Sequence, residues 1–264
     1  MYRSIKYFLM LLCLCLVACN RNNDAKEFRK AIKNNDIKKI GFMIEKNPEL
    51  ISKPIMGTRY NPIQIAAAKN NIQLGNLLVR KGVDVASLEY RSDTPMFIAL
   101  RNGNTEFIHF LLKNGLEENI FTACALGEVE KVKKYINANS SYVNSGSSSL
   151  NVLGVSTIFN KYDCAKLLLK NGADVNEFVF YSPAYLAAEK NRLDFLKLFI
   201  KNGLDLSKEG KNLLEIAKAS KSKDIIFFLL EKGIKSQESS SSLNTLKSID
   251  KQGKIETENG TAPF

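Results

Sequence analysis

One histidine and five cysteines are the side chains of this 264-residue chain best suited to proton transfer, nucleophilic attack or metal ligation. His109 stands alone, inside EFIHFLLKNG, and no dense acidic cluster accompanies it. That excludes a His-based triad and a multi-His metal site. Its place in a helical pattern predicts a solvent-facing ring. Cys124, in TACALG, and Cys164, in KYDCAKLLLKNG, fall where small buried residues are expected. A catalytic thiol needs a base beside it, and none is visible near either. A thiol-dependent enzyme using Cys124 or Cys164 is therefore kept only as the alternative from another class. The stretch NSGSSS lacks the following Lys and helix start of a phosphate-binding loop. The expectation is no catalytic residue, no metal and no cofactor.

Behind these side chains lies a recurring helix ending. LLVRKGVDV, FLLKNGLEE, LLLKNGADVN, LFIKNGLDL and FLLEKGIKS each run an apolar helical stripe into a glycine: Gly82, Gly115, Gly172, Gly203 and Gly233. Asn47 and Asn139 take the slot elsewhere, and both residue types tolerate the left-handed backbone that ends a helix. The spacings are 35, 33, 24, 33, 31 and 30 residues. A period near 33 marks a repeat array. Asn61-Pro62, Thr94-Pro95 and Ser182-Pro183 set a capping side chain before a proline at the first helical position. Asn212-Leu213 keeps the cap without the proline, predicting a helix start there. Small residues follow, as in IAAAKNN and LAAEKNR, and let two short helices approach closely.

TPMFIALRNGNTEFIHFLLKNG, SPAYLAAEKNRLDFLKLFIKNGLDL and AKLLLKNGADVN resemble ankyrin repeats. The resemblance covers residues 25–235 and implies an all-α ankyrin-repeat solenoid of about seven helix-turn-helix units with short β-hairpin fingers. The family's T-P-L-H tetrapeptide is never complete. Gln64, Phe97, Gly154, Tyr185 and Glu215 hold its histidine slot, so a hydrogen bond within each turn is altered. The 24-residue spacing before Asn139 predicts a fourth unit that lacks most of its finger. No unit is expected to fold alone, since stacking supplies the core.

The N-terminus predicts a destination. Arg3 and Lys6 precede an uncharged apolar run from Tyr7 to Ala18, too short to cross a bilayer comfortably and laid out like a secretory signal. Leu16-Val17-Ala18-Cys19 resembles the bacterial lipobox, which implies diacylation and N-acylation of Cys19 after cleavage before it. Asn20, in place of Asp, implies outer-membrane sorting. The organisation expected is a signal peptide at 1–18, a lipid-anchored tether at 19–24, the repeat domain at 25–235 and a disordered tail at 236–264. Removing residues 1–18 leaves 36 basic against 27 acidic residues, a net charge of +9. In an oxidising compartment a disulfide between Cys124 and Cys164 becomes an alternative to two buried thiols. Six residues from Cys19 reach about 20 Å at most, which holds the repeats close to the membrane.

Ankyrin arrays are similar to one another in binding proteins through finger tips and first helices. That resemblance implies a binding surface of Arg59, Tyr60, Tyr90, Arg91, Phe178, Phe180 and Tyr181 at the fingers. Lys69, Arg101, Phe159 and Glu189 join it from the first helices. Aromatic and Arg side chains are the types that dominate binding hot spots. The implied protein is a monomeric, non-enzymatic, periplasm-facing lipoprotein that binds a periplasmic or membrane-associated protein and no nucleic acid. An immunity protein that neutralises an antibacterial effector is the alternative.

Overall fold

A short polar side chain followed by proline starts a helix because the side chain takes up an orphan amide while proline supplies none. In the computed structural model, which describes residues 23–85, 94–146, 149–177 and 180–235, this happens at Asn61 and Thr94, whereas Ser182 precedes Pro183 without a capping hydrogen bond from its side chain. Asn61 accepts from the Gln64 amide at 3.1 Å, and the Gln64 side chain accepts from the Asn61 amide at 2.8 Å. Thr94 caps the next such helix through the Phe97 amide. The expected loss of a hydrogen bond at the incomplete tetrapeptide is thus made good at Gln64 by a reciprocal cap.

The described residues fall into two compact blocks, 23–84 and 85–235. The first contains α1 (23–33), α2 (Ile37–Lys46), α3 (Pro62–Ala68) and α4 (Ile72–Arg80). Here α4 packs on both α2 and α3, burying Ile40, Ile65, Leu74 and Leu78. Gly41 lets the helices close up: a Cβ there would stand 3.4 Å from Leu77 Cδ1.

The second block contains α5 (Pro95–Asn102), α6 (Thr105–Lys113), α7 (Ile120–Leu126), α8 (Val129–Ala138), α9 (Val152–Ile158), α10 (Tyr162–Lys170), α11 (Pro183–Glu189), α12 (Leu193–Lys201), α13 (Leu206–Ala219) and α14 (Lys223–Glu231). First helices stack in the order α7, α9, α11, α13. Phe107, Ile108, Phe195, Phe199 and Leu213 lie in its core. The fourth pair lacks its finger as expected, with only residues 114–119 between α6 and α7. One consequence is that α5 packs on α9 as well as on α7.

The structure corrects several expectations. Among the described residues no β-strand forms; the one antiparallel bridge joins Gly146 and Asn151. Gly82, Gly115, Gly172, Gly203 and Gly233 are left-handed, but Asn47 and Asn139 are extended, at φ −139° and −155°. Pro48 disfavours helical backbone at Asn47, and the Asn139 side chain turns back to accept from the Ser141 amide at 3.0 Å. Both residues then lead into 3-10 turns, Pro48–Ile51 and Ser140–Asn144. The helix expected to start at Asn212 starts at Leu206, capped by Asp205, which accepts from the Ser207 amide at 2.9 Å. Nothing in LSKEGKN stops a helix, and Gly210 leaves room for Ile234, whose Cδ1 would lie 2.7 Å from an added Cβ.

A second punctuation mark appears twelve residues before each of the seven expected endings. Asn35, Asn70, Gly103, Gly127, Asn160, Asn191 and Lys221 close the first helix of every pair, all with positive φ. Two of the asparagines also stitch neighbouring pairs together. The Asn35 side chain accepts from Asn71 Nδ2 at 2.7 Å and donates to Gln73 Oε1 at 3.3 Å. Asn191 Nδ2 donates to Asp224 Oδ2 at 2.6 Å. Further along the second block, Asn144 Oδ1 accepts from the Asp174 amide at 2.9 Å and Asn176 Nδ2 donates to the Gly203 carbonyl at 3.0 Å.

Candidate protein-binding surface

In the first block the candidate residues sit on the finger between α2 and α3 and at the end of α3. The Ile55 amide donates to the Tyr60 carbonyl at 2.8 Å and the Thr58 amide to the Ile55 carbonyl, closing a tight turn at left-handed Gly57. Ile55 and Tyr60 are buried, so the Tyr60 ring packs the finger rather than standing at its tip. Arg59 is exposed; its Nη2 donates to the Tyr60 hydroxyl at 2.9 Å and its guanidinium lies over that ring. Met56 is exposed beside it. Lys69 is half-buried, and burial, aided by the like charge of Lys33, lowers its pKa.

In the second block Phe180 is 43% exposed and meets Tyr181 edge to face at 4.9 Å. The Tyr181 amide donates to the Ser149 carbonyl at 2.7 Å, tying this finger to the preceding one. Arg101 of α5 reaches the Tyr181 ring, 5.9 Å from guanidinium carbon to ring centre, yet is itself buried. Phe159 is half-buried at the end of α9, and Glu189, also half-buried, pairs with Lys190 at 3.3 Å. Relative to the left-handed residues, Lys69 and Phe159 stand one position upstream, whereas Arg101 and Glu189 stand two. The four thus come from two different registers and do not make one row. Tyr90, Arg91, Phe178 and the lipidation candidate Cys19 lie outside the described residues.

The histidine slot has its own use at Tyr185, which sequence reasoning marked only as a departure. Its hydroxyl donates to Glu209 Oε2 at 2.6 Å and accepts from Asn212 Nδ2 at 3.2 Å, joining α11 to α13. Burial first, then the bond to Glu209, pushes the Tyr185 pKa up to about 12.

His109 is exposed, as expected. Cys124 and Cys164 are both buried, with free thiols. The Cys124 thiol donates to the Val152 carbonyl at 3.8 Å. The neighbouring Cys164 thiol, then burial, raises the Cys124 pKa well above its ordinary value. A reactive thiol needs the opposite setting, exposed and electropositive. Among the described residues no group of three metal-ligating side chains converges. Among them, too, no helix is long and apolar enough to cross a membrane.

Paired short helices, the first of each pair closed by a left-handed residue, define a helical-repeat protein. Residues 28–122 match the family model described as Ankyrin repeats (3 copies), and the chain carries ankyrin repeats. It is similar over 99 residues to a probable E3 ubiquitin-protein ligase, XBOS31, of Oryza sativa subsp. japonica, at 28% identity. That match covers 38% of this chain and 22% of the rice protein. A second rice protein of the same description, XBOS33, is 31% identical over 97 residues, 37% of this chain and 16% of that one. The E3 ubiquitin-protein ligase XBAT32 of Arabidopsis thaliana is 29% identical over 73 residues, covering 28% and 14%. This chain therefore spans less than a quarter of the length of these relatives. Among solved structures, the human ASB11 ankyrin repeat domain is similar at 20% identity and a TM-score of 0.39, covering 76% of this chain and 96% of that one. Ankyrin repeats make the chain a protein-protein interaction module.

Proposed function

We propose that this module works at the cell envelope, anchored through lipid on Cys19, and that its partner is a periplasmic or membrane-associated protein. The reading of location rests on the basic start, the apolar run and the Leu16-Val17-Ala18-Cys19 sequence. The reading of the surface rests on one observation above the others: exposed Phe180 set edge to face against Tyr181, on a finger held by a backbone hydrogen bond. An aromatic edge exposed on a fixed support loses little entropy on binding. The repeats of 25–235 are non-enzymatic and monomeric, close to the membrane because the tether is short. The plant ligases' named activity is not carried over, since the likeness covers a small part of those proteins.

Two measurements test the proposal. Metabolic labelling with an alkyne palmitate should tag the wild-type chain in envelope fractions and leave Cys19→Ser untagged. Crosslinking in intact cells should then trap the same partner with wild type and lose it when Phe180 and Tyr181 are both Ala. An untagged wild-type chain refutes the anchor. Unchanged crosslinking by the double variant refutes the surface.

A further inference from the structure

Arg101 occupies a position that the rest of its block fills with other chemistry. Two residues before the left-handed closing residue, the neighbouring pairs carry Ala125 and Ile158, both buried. Arg101 follows them inward and is 9% exposed. Among the described residues its Nε and Nη2 are buried and meet no acceptor. The aromatic partner among them is the Tyr181 ring at 5.9 Å, and a π-face offers a guanidinium charge attraction but no lone pair for its in-plane donors. A guanidinium stays charged, so a buried one with idle donors is disfavoured unless an acceptor arrives. For packing alone, an aliphatic side chain would serve the slot better.

We infer that Arg101 is a receptor for a carboxylate, and that the partner inserts an acidic side chain flanked by apolar residues at this point. This rests on the protein-binding reading and deepens it by naming the partner's chemistry. The guanidinium fork pairs best with a planar two-oxygen acceptor, which makes two parallel bonds to it. A planar group also slides beside the Tyr181 ring more readily than a tetrahedral, strongly hydrated phosphate. Tyr181 is half-buried and Phe180 exposed, so an apolar edge lies next to the buried charge. That combination suits a peptide side chain with apolar neighbours better than a free anion. The basic balance of the chain, +11 overall, draws an acidic partner in.

The test uses the full chain labelled with 15N-arginine, with the Arg101 Nε–H resonance assigned by its loss in R101M. Two probes are titrated: acetyl-Leu-Glu-Leu-amide and its glutamine analogue. The glutamate peptide should shift the Arg101 resonance to saturation. The glutamine peptide should bind about tenfold more weakly, because it brings no charge to the fork. In R101M the glutamate peptide should no longer perturb the Tyr181 ring, while the melting temperature should equal or exceed that of wild type. Equal binding of both peptides overturns the inference, as does an equal shift with inorganic phosphate. A clear fall in the melting temperature of R101M also overturns it, because it would show that the guanidinium is already satisfied within the fold. If the crosslinked partner is kept by R101M, the carboxylate receptor fails and the binding module stands. If the glutamate peptide binds but no protein is crosslinked, the reverse holds.

Discussion

Lys221 and Gly103 occupy the same backbone position in different pairs, and exchanging their residue types should move stability in opposite directions. Lys221 has φ 58° and Gly103 φ 71°. Left-handed backbone costs an ordinary residue about 1–2 kcal/mol and costs glycine nothing. Glycine's freer unfolded chain offsets about 0.5–1 kcal/mol of that. Because Lys221 is exposed and no hydrogen bond of its side chain is at stake, Lys221→Gly should stabilise by about 0.7 kcal/mol. Gly103→Ala reverses both terms and adds a Cβ 3.4 Å from Ile158 Cγ2, an ordinary contact; it should destabilise by about 1 kcal/mol. Asn35→Gly supplies the contrast. It gains the same backbone relief but forfeits the side-chain bonds to Asn71 and Gln73, at about 0.5–1.5 kcal/mol each, so no stabilisation should appear. Urea unfolding followed by circular dichroism gives the three values if the slope is unchanged. Amide exchange at Leu213 and Ile225 reports the Lys221 effect locally, where a repeat protein feels it first. A Lys221→Gly variant with a lower midpoint than wild type, beside an unaffected Gly103→Ala, would refute the role assigned to the left-handed residues.

Three other outcomes follow from the packing. Iodoacetamide should leave the Cys124 and Cys164 peptides unmodified in the folded protein and modify both in denaturant, read by mass spectrometry; labelling of either in the fold would contradict their burial. Burial and the bond to Glu209 raise the Tyr185 pKa from its ordinary 10.0 to about 12. Between these values the folded state holds a proton that the unfolded state has lost, so its stabilisation is full below about pH 10 and fades toward about pH 12. Tyr185→Phe should flatten that part of the stability profile and remove the slowest-titrating phenol from the absorbance at 295 nm. Asn151 is buried, accepts from the Gly154 amide at 2.8 Å and donates to Glu177 Oε2 at 2.7 Å. Asn151→Ala should cost about 1–2 kcal/mol, and a loss under half of that would mean water replaces both bonds.

The features readable from sequence are those one residue type can produce by itself. A glycine left-handed after an apolar stripe needs no neighbour to explain it, nor does Asn61-Pro62 opening α3. The short link before α7 was visible as missing length. What stayed hidden depends on context. Asn47 is extended because Pro48 follows it, although asparagine elsewhere closes helices left-handed. The residues closing the first helices, from Asn35 to Lys221, share the spacings of the turn glycines. They change identity from pair to pair, so only alignment on the known period would have found them. The start of α13 was missed because Asp205 caps as well as Asn212 does. Tyr60 and Arg101 were read as partner-facing by residue type, and their burial is set by Ile55, Tyr181 and the helices packed around them.

Arg101 and the missing finger have a common physical origin. In a regular array each first helix touches only its immediate neighbours. Here the link of residues 114–119 is too short to hold a finger, and α5 packs directly on α9. A Cβ at Gly103 would lie 3.4 Å from Ile158, which measures how near the two helix ends come. Arg101 is buried next to this closure, and its guanidinium meets the Tyr181 ring rather than solvent. A small or apolar residue at 101 would have made the closed site inert, as Ala125 and Ile158 do. Retaining arginine leaves a buried charge idle at this irregular place. The carboxylate receptor we infer would therefore concentrate recognition where the repeat breaks its own period.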